Sequence, residues 1–242
     1  DPVSATFTYV LVDRATRDAI VVDSVDQHFD RDMALLKRLG LTLRYVVETH
    51  AHADHVTAAG RLREATGALA AAPFHCGISP ANVQLVHGDK LTFGAAEEIL
   101  AIYTPGHTSG STSYLWRGNV LTGDTLLIEG CGRTDFQSGD AGSLYDSVRE
   151  RLFTLPDDTR VWPAHDYHGN TVSTIGHEKR NNPRLANRDR ASFVELMGNL
   201  SCHHHRQGRG DRHQKDQTER DAEDPLADGR AQHRQTFKGD GH

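Results

Sequence analysis

The chain has 242 residues, 37% of them hydrophobic, and carries 27 basic and 33 acidic side chains for a net charge of −6. That mild acidity argues against a nucleic-acid-binding surface, which needs a basic stripe, and no run of 18 apolar residues exists to span a membrane. Three cysteines (Cys76, Cys131, Cys202) are too few and too odd in number for a disulfide framework, which favours a reducing, cytoplasmic compartment; the chain opens at Asp1-Pro2 without a methionine, so an organellar address upstream stays open.

Thr6 to Val12 and Ala19 to Asp23 read as two strands joined by a turn at Asp13-Arg14-Ala15-Thr16. Phe29 to Leu39 follows as a helix, with Met33, Leu36 and Leu39 near one face and Gly40 as its stop. Leu43 to Val47 is a short apolar run of the kind that forms a buried strand. From Val56 to Ala70, good helix formers predict a helix that ends near Gly67. The stretch Ala70 to Cys76 is not diagnostic, and His75 and Cys76 are assigned no chemistry. Leu91 to Phe93, Glu98 to Thr104, Ser113 to Trp116 and Asn119 to Thr122 are strand-like, Leu144 to Leu155 is helical, and Thr159 to Trp162 is a last strand. Strands paired by turns and then interleaved with helices predict a layered α/β fold of stacked sheets covered by helices.

Between the Leu43–Val47 strand and the following helix lies Thr49-His50-Ala51-His52-Ala53-Asp54-His55. Four ligand-type residues at i, i+2, i+4 and i+5 fall on a loop between a strand end and a helix start, where α/β folds hold their ligands. Neutral imidazole and carboxylate are first-choice ligands for zinc, iron and manganese, so the loop reads as metal-binding. Three later strand ends each deliver one more such residue: His107 after Thr104-Pro105-Gly106, Asp124 after Thr122-Gly123, and His165 after Pro163-Ala164. Strand C-termini lie along one sheet edge, so these are expected to converge on the histidine loop.

Residues 201 to 242 differ in kind. Only six of these 42 are apolar, against eight Lys/Arg and eight Asp/Glu. Such a segment cannot offset its ordering entropy by burial. The expected organisation is therefore a catalytic domain over residues 1 to 200 and a polar, disordered tail over 201 to 242.

The run HxHxDH, then His after Pro-Gly, then Gly-Asp, then Pro-Ala-His resembles the metallo-β-lactamase fold superfamily over about residues 3 to 200. The resemblance implies a four-layer αβ/βα sandwich with metal at one edge of its two sheets. Cys131-Gly132-Arg133-Thr134-Asp135-Phe136-Gln137 and Pro163-Ala164-His165-Asp166-Tyr167-His168-Gly169 look like the signature stretches of the persulfide dioxygenases within it. The alternative is glyoxalase II, a dinuclear thioester hydrolase (hydroxyacylglutathione hydrolase) that binds a zinc pair. That hydrolase carries a C-terminal helical domain to hold glutathione, whereas here a polar tail follows Leu200.

For the dioxygenase family the resemblance implies one iron(II) per chain, held by His50, His107 and Asp124. Two imidazoles and one carboxylate on one face of the ion leave positions open, the arrangement suited to iron(II) and dioxygen. His52, Asp54, His55 and His165 then orient ligands and bound water by hydrogen bonds, or hold the second metal in the hydrolase alternative. The implied reaction takes glutathione persulfide, O2 and water to sulfite and glutathione. Tyr167, His55 and His165 are the candidate catalytic residues, with Tyr167 as a hydrogen-bond donor near the metal. Arg133, with Tyr167, is the candidate for substrate binding, its guanidinium fork matching a glutathione carboxylate; an ion pair with Asp135 or Asp140 is the competing role. Cys131 reads as a small buried residue near the pocket. A homodimer is left open.

Overall fold

The computed structural model describes residues 1–136 and 138–200. The expected tail over 201 to 242 lies outside the described residues. Among the described residues, eleven strands form two sheets. The first contains β1 (Tyr9–Val12), β2 (Asp18–Val22), β3 (Thr42–Val47), β4 (Leu69–Pro73) and β5 (Val83–Leu85), in that order. Only β1 and β2 pair antiparallel; the others run parallel. The second sheet runs in the order β11-β10-β9-β8-β7-β6, from β6 (Lys90–Phe93), β7 (Glu97–Tyr103), β8 (Thr112–Trp116), β9 (Asn119–Gly123), β10 (Arg160–Pro163) and β11 (Ser173–Thr174). Here β9 and β10 are parallel and the remaining pairs antiparallel.

Alternation along the strands builds the layers. On β2, Ile20 and Val22 face a core shared with Leu91, Phe93, Ile99, Tyr114 and Leu121 of the second sheet. Val21, between them, points the other way, onto a separate cluster with Val46 of β3. That outer cluster is closed by α1 (Phe29–Leu39) through Leu36 and by α2 (Ala59–Thr66) through Leu62. The second sheet repeats the pattern. Leu121 packs inward, while Val120 and Val161 pack outward against α3 (Ala141–Ser147), α4 (Ile175–Asn181) and α5, the helix over residues 190–200, through Leu144, Ile175, Phe193 and Met197. A period of two on a strand sends neighbouring residues to opposite faces. The result is the expected helix–sheet–sheet–helix sandwich.

Two local expectations are corrected, while the expected end of the second helix near Gly67 is met. Helix α2 stops at Thr66, where Gly67 takes φ +74 and its N–H bonds Arg63 O; a left-handed residue caps it. The chain then enters β4, so the undiagnostic alanines form a central strand. Ala70, Ala71 and Ala72 are all buried between neighbours on both sides, and pairing with β3 and β5 overrides their helix propensity. The helix expected over Leu144 to Leu155 begins earlier, capped by Asp140 accepting from Ser143 N, and continues past Ser147 as a π-helical stretch over Val148–Leu152. No helix among the described residues is long and apolar enough to cross a membrane.

Strands β2, β3, β7, β9 and β10 all end at the same edge of the sandwich. Cross-sheet bonds fasten this edge: Thr112 N donates to Thr49 O (2.9 Å), and Tyr114 OH donates to Glu48 O (2.8 Å). Phe7 N donates to Ala164 O (2.8 Å), next to a bridge between Thr6 and His165.

Candidate metal centre

His50, His107 and Asp124 come together at this edge, each buried, with one ligating atom apiece inside 4.8 Å of the others. They arrive from the ends of β3, β7 and β9, as the strand-end expectation required. What makes them a site is how their far sides are tied. Thr49 Oγ1 donates to Asp23 Oδ2 (2.9 Å), so its lone pair accepts from His50 Nδ1–H (2.8 Å). The carbonyl of Arg133 can only accept, so His107 Nδ1–H donates to it (2.8 Å). Both imidazoles are thereby fixed in the tautomer that leaves Nε2 unprotonated. Asp124 Oδ1 accepts from His165 Nδ1–H (2.6 Å), leaving Oδ2, 3.5 Å from His107 Nε2, uncommitted. Three lone pairs converge, which is what a divalent ion requires of its ligands.

The electrostatics agree. Burial, reinforced by the neighbouring His52, pushes His50 down to about 3, so it stays a neutral ligand at any ordinary pH. Asp124 is buried, but the hydrogen bond from His165 and the surrounding imidazoles outweigh that and hold its carboxyl well below the usual range. His165 goes the opposite way. Burial opposes its charge, yet Asp124 on one nitrogen and Asp54 on the other (3.1 Å) raise it to about 9. It is an imidazolium donating from both nitrogens.

A prediction follows for the metal-free chain. A histidine raised from about 6.5 when unfolded to about 9 when folded stabilises fully below pH 6.5. That contribution, on the order of 3 kcal/mol, is lost as pH rises through 9. Urea unfolding after chelation should therefore show stability falling from pH 6.5 to 9, with a shallower slope in His165→Gln. Equal slopes in the two chains would contradict the assignment of the proton to His165.

The remaining expected residues sort differently. Asp54 accepts from Thr6 Oγ1 (3.0 Å), His55 Nδ1 (3.0 Å) and His165, and is held low by those histidines against a burial cost. His55 Nε2 is buried with no hydrogen-bond partner. His52, although adjacent to His50, turns to Asp23 and Glu48. Arg133 places its carbonyl on His107, but its guanidinium makes a two-point pair with Asp135 (2.7 and 2.9 Å), the competing role foreseen for it. Tyr167 stacks at 6.1 Å and 4° beside His165 and is 71% exposed, which puts it at the rim. Cys131 is buried, and burial pushes its thiol up, so it carries little thiolate. Sequence reasoning missed Asp23, Glu48, Thr6 and Gly132. Gly132 N donates to Asp124 O (2.7 Å), and a Cβ there would sit 2.8 Å from His107 Nδ1; the glycine inside the Cys131–Phe136 stretch was the available signal.

A metal ligand set at the strand ends of an αβ/βα sandwich defines the class, and the metallo-beta-lactamase superfamily model matches residues 1–73 and 77–165. The chain is 47% identical over 204 residues to the human protein named persulfide dioxygenase ETHE1, mitochondrial, covering 83% of this chain and 79% of that one. The crystal structure of ETHE1 from Myxococcus xanthus superposes with a TM-score of 0.81 at 50% identity, over 83% of this chain and 88% of that one. The cytoplasmic hydroxyacylglutathione hydrolase of Arabidopsis thaliana is 33% identical over 174 residues, covering 66% of this chain and 64% of its own. The chain belongs to the persulfide dioxygenase family of the metallo-beta-lactamase superfamily; it is a metal-binding oxidoreductase that acts on a small-molecule substrate.

Proposed function

We infer that this chain is an iron(II)-dependent persulfide dioxygenase that converts glutathione persulfide, O2 and water to glutathione and sulfite. In that conversion the S–S bond breaks, three oxygens join the terminal sulfur (two from O2 and one from water), and the thiol keeps one proton. The observation that carries the reading is the ligand count. His50, His107 and Asp124 each have their far side engaged and one lone pair directed at a common point. His165, a ligand in the two-metal alternative, lies outside that cluster and bridges Asp124 and Asp54 instead. Three protein ligands leave room on an iron ion, which when bound supplies redox chemistry toward dioxygen and affinity for soft sulfur.

The chain's own residues supply the rest. His165, buried beside the ligand cluster, holds a proton against Asp124 and Asp54 and can pass it on as sulfite and thiol form. Tyr167 offers its hydroxyl from the rim above His165. Arg133 takes the glutathione carboxylate by exchanging or sharing Asp135, and its guanidinium, about half exposed, is accessible for that. A cytoplasmic address belongs to the same reading, supported by two free cysteines, Cys76 and Cys131, among the described residues. Localising the tagged protein checks that address, and sedimentation decides whether a homodimer forms.

Protein purified without air is expected to carry close to one iron per chain and to consume oxygen only when glutathione persulfide is added. Two zinc ions per chain, with thioester hydrolysis and no oxygen uptake, would replace this reading with the hydrolase.

A further inference from the structure

Two of the three ligands lean on one short stretch of backbone. Gly132 N donates to Asp124 O (2.7 Å), and Arg133 O accepts from His107 Nδ1–H (2.8 Å). Adjacent residues therefore fix the main chain of one ligand and the tautomer of the other. The residues just before them belong to no strand or helix. Glu129 takes φ +52, a left-handed conformation that is costly for a residue with a Cβ, and Leu127 and Gly130 are joined by an isolated bridge. Such a stretch keeps its shape only if something outside it supplies the bonds.

Helix α4 and the turn after it supply them. Glu129 N donates to Glu178 Oε2 (3.0 Å), Gly130 O accepts from Asn182 Nδ2 (3.0 Å), and Cys131 O accepts from Arg184 Nη1 (2.9 Å). Three consecutive residues are thus tied to α4 and its C-terminal end, and the next two tie the ligands. Glu178 and Asn182 are both 0% exposed. Asn182 Oδ1 accepts from Arg184 N (3.0 Å), which turns the amide so that Nδ2 faces both Gly130 O and Glu178 Oε2 (2.8 Å). The other carboxyl oxygen of Glu178 accepts from Ser173 Oγ. Burying a carboxyl group costs stability that an apolar side chain of the same size would not. Here that group is spent on a backbone N–H two residues before Cys131.

We propose that Glu178 and Asn182 are positioning residues of the metal centre, holding residues 129–133 so that His107 and Asp124 keep their ligating orientation. The proposal rests on His50, His107 and Asp124 being the ligand set. His50 is tied elsewhere, by Thr49 and Asp23 beyond the ends of β3 and β2. Loosening the grip of α4 therefore disturbs one imidazole and spares the other. A residue that only stabilised the fold would spare both or disturb both.

The test reads the two imidazoles separately. Full-length chain is loaded with cobalt(II) in place of iron, and proton NMR records the exchangeable, hyperfine-shifted N–H signals of the cobalt-bound rings, assigned by their cross-peaks to Thr49 and Arg133. The unmodified chain is expected to show one from His50 Nδ1–H and one from His107 Nδ1–H. Glu178→Leu fills the same space without an acceptor. It is expected to shift the His107 signal and quicken its exchange with solvent, to leave the His50 signal in place, and to weaken cobalt binding about 10–100-fold. Glu178→Gln keeps an acceptor for Glu129 N and should restore both the His107 signal and the affinity. Asn182→Ala frees Gly130 O but keeps the Glu178 bond to Glu129 N, and is run in parallel in case Glu178→Leu does not fold; it should move the same signal by less. A change confined to the His107 signal in either variant supports the proposal. Both signals unmoved, or both moved alike, in every variant that folds overturns it. An unmodified chain lacking either signal would instead overturn the ligand set itself.

Discussion

An Asp124→Ala chain is expected to emerge from anaerobic purification with almost no iron and to show no persulfide-dependent oxygen uptake. The carboxylate is the one anionic member of the ligand set, it is largely shielded from solvent, and it stays ionised despite that. Removing it strips the charge that offsets a divalent cation and leaves the His165 imidazolium facing the site without its partner at 2.6 Å. An uncompensated buried cation beside a metal position opposes binding directly. His55→Ala should behave otherwise, because that ring touches Asp54 and Thr6 but not the ligand cluster. Loss of such an orienting partner typically costs about 10–100-fold in affinity or activity, so most of the iron should remain at saturating metal. Elemental analysis of both variants decides the matter. Equal metal loss in the two would contradict a mononuclear centre and point to a shared two-metal site.

Gly106→Ala should be the most damaging single-methyl change in the chain's metal-bearing edge. Gly106 holds φ +139, and a Cβ built there would lie 2.3 Å from the backbone N and Cα of Leu144 in α3. That neighbour is backbone, so no side-chain rotation relieves the overlap. The helix must move, and with it Leu144, which is fully buried in the outer cluster of the second sheet. Overpacking of this kind costs about 1–3 kcal/mol, and the unfavourable φ adds about 1–2 kcal/mol more. For a chain this size each kcal/mol lowers the melting temperature by about 2–4 °C, so a drop of roughly 5–15 °C is expected. His107 follows directly in sequence, so iron affinity should fall as well. Gly118→Ala is the control: φ is +70, but nothing lies within 4 Å of the added methyl, so it loses only the conformational term. If the two variants melt within a couple of degrees of each other, the close approach of α3 to the Pro105-Gly106-His107 turn is not what constrains this position.

Much of this protein could be read from local pattern. Helix α1 spans Phe29–Leu39 as its apolar spacing and the Gly40 stop required. The strands that deliver ligands are short apolar runs ending in His50, His107, Asp124 and His165, and each of those residues reaches the site. Ligand types at close spacing on a loop are chemically expensive, so they announce themselves without any knowledge of the fold. The short strands Val83–Leu85 and Ser173–Thr174 left no such trace. Three or two residues carry too little periodicity, and partners far away in sequence define them.

The division is sharpest at the centre itself. Residue type alone says which side chains can hold a metal, because imidazoles and carboxylates declare their chemistry wherever they stand. Which of them converge on one point is set by the packing of the two sheets. Asp23 lies 29 positions before His52, and nothing in the intervening chain links them; they meet because β2 and β3 run parallel and adjacent, with Val22 opposite Val47. The Arg133 guanidinium suits either a substrate carboxylate or an ion pair with Asp135 or Asp140; the structure pairs it with Asp135 and gives the backbone carbonyl of Arg133 to His107. A side chain's capacity is local. Its orientation is fixed by hydrogen bonds to groups distant in the chain, and those exist only once the two sheets have packed and their strand ends share one edge.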